Sequence, residues 1–263
     1  MGETTFWITH RIYLLHRITD REAIRDHYQD NTIAHQYISE RFARPLGRVQ
    51  HQIQVKTINN TISFYHIDRI LEVACGPARL TSGIQGFKKG VAIDTSDHML
   101  NIARQRVSSP EKWHFINTDA FHINLNERFQ LIYVFRFIRH FRLAERMKLY
   151  KKFHELLESY GILIFDAVHY QKVELIRKIE NKGQKIIYDK IYSSSKSLED
   201  ELFHAGFEVI QLKGIIYHFY LQAVISRISN KLNIDEIGLK VIRCLERLPL
   251  GRPLEFIAIS KKR

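Results

Sequence analysis

A glycine turn between two apolar runs is the stretch of this sequence best suited to binding a ligand. Residues 70–79 read Ile-Leu-Glu-Val-Ala-Cys-Gly-Pro-Ala-Arg. An apolar run, a tight turn and a helix start, in this order, present backbone N–H groups to a bound group. A second apolar run ends at Asp94, eighteen positions after Gly76. A carboxylate at the tip of the second strand of a β-α-β unit can hydrogen-bond ribose hydroxyls, so the two signals predict a nucleoside cofactor.

The elements that must position this turn alternate along the chain. Strands are predicted at 67–74, 90–93, 113–117, 129–135, 161–168, 207–212 and 254–260, and helices at 79–86, 96–107, 142–158 and 195–205. Short apolar runs separated by helices predict a parallel sheet that is covered on both faces. The predicted division is a helical N-terminal cap at 1–60 and a core at 61–263, with insertions at 169–195 and 214–253.

The bulk composition restricts the partners and the compartment. The 263 residues carry two cysteines, too few for a disulfide framework, which predicts a reducing, cytoplasmic location. The net charge of +12 favours an anionic partner, whether nucleic acid, acidic lipid or a phosphorylated substrate. The densest basic run, 136–152, is interpreted mainly as a solvated helix face. Residues 6–15 are too charged for a membrane span, and a membrane-surface role for them is an alternative.

Four motifs in order resemble the class I S-adenosylmethionine-dependent methyltransferases of the small-molecule type. They are an acidic-x-small-x-Gly turn at 72–76, a strand-end acid at Asp94, an Asn-Thr-Asp-Ala-Phe segment at 117–121, and an aromatic fourth strand at 129–135. The resemblance covers roughly residues 25 to 212. It implies a doubly wound, Rossmann-like, mostly parallel seven-stranded sheet with helices on both faces, a helical N-terminal cap and a helical insertion before the last strand.

The resemblance also implies a set of contacts with S-adenosylmethionine and its product S-adenosylhomocysteine. Small residues in the turn would let the backbone approach the methionine part, Asp94 would hold the ribose hydroxyls, and Asp119 would accept from the adenine amino group. Glu72 would lie near the methionine ammonium. The implied cofactor-binding residues are Tyr28, Tyr37, Glu72, Ala74, Gly76, Asp94, Thr95, Met99, Asp119, Ala120, Phe121 and Phe135.

Two histidines are the candidates for catalysis. Methyl transfer from a sulfonium is an in-line substitution that proximity and alignment accelerate, and a general base is needed only for a protonated acceptor. His140 and His169 follow the fourth and fifth predicted strands, at the edge where open α/β sheets bind ligands. A structural role is the alternative for each. The sequence has no HExxH, no CxxC and no carboxylate cluster at ligand spacing, so no metal is predicted.

The leading prediction is an enzyme that methylates oxygen, nitrogen or carbon of a small or medium-sized acceptor, and the basic charge leaves room for an anionic one. A nucleic-acid methyltransferase is the first alternative, favoured by the charge. Against it, residues 135–138 read Phe-Arg-Phe-Ile where base-amine methylases carry Asn/Asp-Pro-Pro-aromatic. A non-catalytic cofactor-binding homologue is the second alternative. Ala74 and Arg79 stand where a nicotinamide dinucleotide fingerprint has glycine, which counts against that cofactor.

Overall fold

One mixed sheet of seven strands forms the centre of the computed structural model, which describes residues 42–169 and 194–263. The strands are β1 (Arg69–Val73), β2 (Lys89–Asp94), β3 (Trp113–Asn117), β4 (Phe129–Val134), β5 (Leu157–Val168), β6 (Phe207–Ile215) and β7 (Glu255–Lys262). Their spatial order is β3-β2-β1-β4-β5-β7-β6. Neighbours from β3 to β5 pair in parallel, whereas β7 is antiparallel to both β5 and β6. The predicted mostly parallel, seven-stranded sheet is confirmed.

Six α-helices accompany the sheet in the described part of the chain. They are α1 (Pro45–Tyr65), α2 (Asp97–Arg106), α3 (Leu143–Leu156), α4 (Ser195–His204), α5 (Phe219–Lys231) and α6 (Asp235–Glu246). Local sequence sets several of their ends, since α1 begins at a proline, and the side chain of Ser96 caps α2. None of these helices has both the length and the apolar character needed to cross a membrane.

The strands alternate their side chains between two apolar cores. In β4, Ile132 and Val134 join the core that α3 and α4 cover. Leu131 and Tyr133 point to the opposite core, which α1 and α2 cover. This alternation is the two-residue period of an extended strand, and it places helices on both faces of the sheet as predicted.

Two expectations about helices are wrong. The segment predicted as a helix at 79–86 forms only a 3₁₀ turn, Thr81–Gly83, after which Ile84 is extended with ψ 134°. The basic face of α3 is not fully solvated either. Arg146 is 2% exposed and donates from Nε and Nη2 to the two carboxylate oxygens of Glu201 on α4. A paired guanidinium satisfies its donors inside the protein, so a basic helix position need not face solvent.

The predicted domain division stays a prediction. Helix α1 runs across the predicted boundary at residue 60, while 1–41 and 170–193 lie outside the described residues. The helical insertion predicted at 214–253 contains α5 and α6, which pack on each other and on α1. Because β6 ends and β7 begins at the carboxyl ends of the parallel strands, this helical pair connects to the sheet at that edge.

Candidate active site

The loop after β1 has an unusual backbone that β2 holds in place. Ala74, Gly76 and Ala78 all have positive φ, at 55°, 55° and 58°. The Cys75 N–H donates to the carbonyl oxygen of Ile93 at 3.0 Å. A left-handed alanine costs about 1–2 kcal/mol, so the surrounding structure must impose this shape. A Cβ added to Gly76 would meet no atom within 4 Å, which leaves room for a ligand directly against its backbone.

Asp94, at the end of β2, ties this loop to the start of α2. Its Oδ2 accepts from the Gly76 N–H at 2.8 Å, and its Oδ1 accepts from the Ser96 N–H at 3.0 Å. Burial raises the pKa of Asp94, and the backbone N–H groups of Ser96, Gly76 and Thr95 oppose that rise by stabilising the carboxylate. Each carboxylate oxygen has further acceptor capacity, so Asp94 can bind a hydroxyl without releasing the loop.

A cleft opens beside this loop at the carboxyl ends of β1, β2 and β4. It holds about 840 Å³ of empty space, its open mouth included, which is within the usual range for a small-molecule site. Ten of the predicted site residues line it: Ala74, Gly76, Asp94, Thr95, Met99, Asp119, Ala120, Phe121, Phe135 and His140. Six further lining residues were not predicted: Pro77, Ile93, Thr118, Arg136, Phe137 and Phe141.

One end of the cleft suits a flat ring with a hydrogen-bonding edge. Asp119 caps a 3₁₀ turn, its Oδ1 accepting from the Phe121 N–H at 2.8 Å. The Phe121 ring meets the Phe141 ring edge-on, with centroids 5.1 Å apart. Met99 is 2% exposed and closes the floor. An apolar slot that ends in a carboxylate can bury a heteroaromatic ring and accept from its amino group.

The segment after β4 forms the other wall. Arg136 has φ 59°, and its backbone N–H donates to Oδ1 of Asp166 at 2.5 Å. Its guanidinium lies 5.7 Å from the centre of the Phe42 ring. Phe137 and Phe141 stack edge-on, with ring centroids 4.7 Å apart. A cationic residue therefore lines the cleft among aromatic residues.

A buried polar network supports this wall from below. Nη2 of Arg139 donates to the carboxylates of Asp166 and Glu255, the latter at 2.9 Å. Gln50 and Gln54 of α1 donate to the same Glu255, at 3.0–3.1 Å. Burial raises the pKa of Glu255, and the Arg139 charge opposes that rise. These five side chains are at most 8% exposed, so each depends on the others for its hydrogen bonds.

Two predicted site residues are not among those that line the cleft. Glu72 does not line the cleft, because it is buried beneath the loop, where its Oε2 accepts from the Thr81 hydroxyl at 2.6 Å and the Tyr133 hydroxyl at 2.8 Å. His169 is 3% exposed and packs near the Phe256 ring rather than in the cleft lining. Residues 28 and 37, the two predicted tyrosines, lie outside the described residues.

Comparison with known proteins shows which proteins this chain is similar to. Residues 70–161 match a family model described as a methyltransferase domain. The fold is similar to magnesium protoporphyrin IX methyltransferase (ChlM) from Synechocystis PCC 6803, solved with bound SAH, with a TM-score of 0.64 at 11% identity over 93% of this chain and 100% of that one. It is also similar to an S-adenosylmethionine-dependent methyltransferase from Clostridium acetobutylicum ATCC 824, with 0.59 at 16% identity over 88% and 98%.

A third similar structure is the N-methyltransferase NodS from Bradyrhizobium japonicum WM9 in complex with SAH, with a TM-score of 0.56 at 13% identity over 89% of this chain and 99% of that one. No curated protein matches the sequence. Residues 70–161, which span β1 to β4 and the start of β5, therefore match a methyltransferase domain, and the fold is similar to that of solved methyltransferases.

Proposed function

We propose that this protein transfers a methyl group from S-adenosylmethionine to oxygen, nitrogen or carbon of a small or medium-sized acceptor and releases S-adenosylhomocysteine. The observation that carries the proposal is the bond between the Gly76 N–H and Asp94, which joins the tight turn to the strand-end acid at the head of the cleft. Both free thiols, Cys75 and Cys244, agree with the proposed cytoplasmic location.

The described residues fit this cofactor. Asp94 would accept from the ribose hydroxyls, and Asp119 from the adenine amino group beside Phe121. The open backbone face at Gly76, next to Ala74, would take the methionine part. When bound, the cofactor supplies an electrophilic methyl group on a sulfonium. Glu72 would contribute indirectly, because its contacts hold the underside of the loop.

The aromatic wall would align the acceptor and exclude water. Phe135, Phe137 and Phe141 line the cleft next to the turn. Orientation of two reactants can supply several orders of magnitude of rate in an in-line substitution. His140 lies on the same wall and would accept the proton of a hydroxyl or ammonium acceptor. His169, buried behind the wall, would act through packing instead.

Arg136 supports an anionic acceptor. Arg136 lines the cleft, and its charge also stabilises the buried carboxylate of Glu255. An acceptor carboxylate or phosphate could take two parallel hydrogen bonds from such a side chain. The net charge of +12 keeps nucleic acid as a second candidate acceptor. Binding to RNA oligomers that weakens steeply with salt would favour that candidate.

Calorimetry tests the cofactor premise. Wild-type protein should bind S-adenosylmethionine and S-adenosylhomocysteine, and Asp94→Asn, which keeps the side-chain shape, should bind each about 10- to 100-fold more weakly because hydrogen bonds to a charged group are lost. Asp97→Asn, an exposed acid at the start of the following helix, is the matched control and should bind like the wild type. No binding by the wild type, or equal affinity in Asp94→Asn, would refute the proposal.

Turnover distinguishes the enzyme from a non-catalytic homologue. Labelled methyl transfer into a fractionated metabolite extract should mark a discrete acceptor fraction. His140→Ala should lower kcat for a protonated acceptor and flatten the acidic side of its pH–rate profile, whereas His169→Ala should change stability first. Cofactor binding without any labelled fraction would favour the homologue.

A further inference from the structure

Helix α5 has its polar and apolar faces reversed. It buries Gln222 and Ser226, and it exposes Leu221, Val224 and Ile228 at helical spacing, with Leu221 51% and Ile228 53% exposed. A surface helix ordinarily turns its apolar stripe toward the core. This reversal predicts that the apolar stripe of α5 binds another molecule.

Hydrogen bonds hold most of the buried polar face, and Oε1 of Gln222 is the buried polar atom of this face without a partner among the described residues. Nε2 of Gln222 donates to Oε1 of Glu246 at 2.5 Å, and the hydroxyl of Ser226 accepts from the backbone N–H of Leu46 at 3.2 Å. The hydroxyl of Ser229 donates to the carbonyl oxygen of Ile225 at 2.8 Å. These bonds fix the helix with its polar side inward, so the exposure of the apolar stripe follows from the packing.

Helix α6 and the turns around it continue the apolar surface. Leu239 and Ile242 pack inward, while Ile237, Val241 and Leu248 recur at intervals of four and seven on an exposed side. Of the sixteen large apolar side chains exposed in the described residues, ten lie between residues 220 and 250. The concentration in about one sixth of the described residues distinguishes this hairpin from ordinary scattered surface apolar residues.

Basic side chains flank the stripes. Arg227 and Lys231 are exposed beside the stripe of α5, and α6 with the following turn adds three more exposed basic residues, Lys240, Arg243 and Arg247. The acidic residues of the hairpin are partly engaged, since Glu236 pairs with Arg48 at 2.7 Å and Glu246 accepts from Gln222. With five basic and three acidic residues between positions 219 and 250, the hairpin carries a net positive charge beside its exposed apolar side chains.

We propose that the α5–α6 hairpin docks on the surface of a bilayer that contains anionic lipids, with the aliphatic stripes entering the headgroup region. Helices that lie in this interface combine an apolar face with Lys and Arg on their polar side. A second copy of the chain would bring like charges together. The exposed basic side chains complement anionic headgroups, so an anionic bilayer fits this surface better than a second copy does.

Docking would place the cleft near the membrane. The hairpin joins the end of β6 to the start of β7, where Glu255 pairs with Val168 at the same sheet edge that carries the cleft. The acceptor class rests on the proposed methyl transfer. A cleft near the membrane receives molecules that partition into the bilayer, so the acceptor is assigned to amphiphilic molecules. The aromatic wall beside Arg136 suits such a molecule, with an apolar body and an anionic group.

Co-sedimentation with vesicles tests the docking without any methyl donor. The full chain should bind vesicles of phosphatidylcholine and phosphatidylglycerol, bind phosphatidylcholine alone much more weakly, and dissociate as salt rises. Leu221→Gln/Ile228→Gln should weaken the binding about tenfold, because two aliphatic side chains no longer enter the headgroups. Phe64→Gln/Leu143→Gln, which removes two exposed apolar side chains outside the hairpin, should bind like the wild type.

Three results would overturn the docking. The first is that the wild type fails to bind anionic vesicles, and the second is that the two double variants bind them equally well. The third result is self-association of the wild type in ultracentrifugation that is lost in Leu221→Gln/Ile228→Gln. The last would identify a second copy as the partner. Calorimetry with S-adenosylmethionine on the hairpin variant should match the wild type, so loss of vesicle binding and failure of the proposed activity remain separate results. For the acceptor class, transfer into the lipid-soluble fraction of an extract is expected, and transfer only into the aqueous fraction would contradict it.

Discussion

The buried carboxyl group of Glu72 should make the stability of this protein depend on pH. Burial raises its pKa from 4.5 to about 7, against the opposing effects of the Thr81 and Tyr133 hydroxyls and the Arg79 charge. The folded state therefore holds a proton that the unfolded state releases between these two values. The stability that this proton contributes is complete below about pH 4.5 and is lost as pH rises through 7.

The expected size of this pH effect follows from the two pKa values of Glu72. Each pH unit of difference corresponds to 1.36 kcal/mol, so raising the pH from 4.5 to 8 should cost about 3 kcal/mol at this one group. Glu72→Gln has no proton to lose, and its amide oxygen can accept from both hydroxyls. The free energy of unfolding of the variant, minus that of the wild type, should therefore grow by about 3 kcal/mol across this range.

Urea denaturation at several pH values between 4.5 and 8 measures this difference. Glu208→Gln, on the exposed face of β6, is the control and should follow the wild type at every pH. Tyr133→Phe removes one donor to the carboxylate, so it should move the loss of stability to higher pH. If the difference in unfolding free energy between Glu72→Gln and the wild type were the same at every pH, the reasoning would be refuted, whatever the sign of that difference.

Three further substitutions test the backbone strain, the core packing and the buried polar network. Ala74→Gly should raise the free energy of unfolding by about 0.5 kcal/mol, since relief of the left-handed backbone exceeds the added entropy of the unfolded chain; a fall in Tm would contradict this. Gly90→Ala should lower the unfolding free energy by about 2 kcal/mol and shift tryptophan fluorescence, because the new Cβ would lie 2.6 Å from the Trp113 ring, and unchanged stability would contradict it. Asp166→Asn should cost about 3–5 kcal/mol in urea denaturation by weakening the partner of buried Arg139, and a cost under about 1 kcal/mol would contradict the network.

The parts of the fold that depend on short-range patterns were predictable from the sequence. Strand β2 ends at Asp94 in the structure, as predicted, because its apolar run and the Ser96 cap are adjacent along the chain. The cleft could be located from the same pattern, since the turn at Gly76 follows β1 and the segment at Asp119 follows β3 at the same sheet edge.

Tertiary contacts decided the features that were missed. Residues 79–86 have helical spacing, yet Arg79 donates to Gln54 and Thr81 donates to Glu72, and both contacts require the non-helical loop. Glu72 faces away from the cleft because it neighbours Tyr133 across the β1–β4 pair, which sequence spacing does not reveal. The sequence reveals the aromatic residues after β4. It does not reveal that Arg136 lines the cleft, because the backbone of Arg136 is held by Asp166, thirty residues later.

The sheet order also bears on how the chain folds during synthesis. Strand β7 lies between β5 and β6, so β6 has no place in the sheet until β7 joins it. About 40 residues separate the end of β6 from the start of β7, which a ribosome takes roughly 2–8 s to add. The same strand brings Glu255 to Gln50, 205 positions away, and so completes the polar network beneath the cleft. The binding half of the site, from β1 to β4, can therefore assemble early, while its supporting half waits for β7 to leave the ribosome.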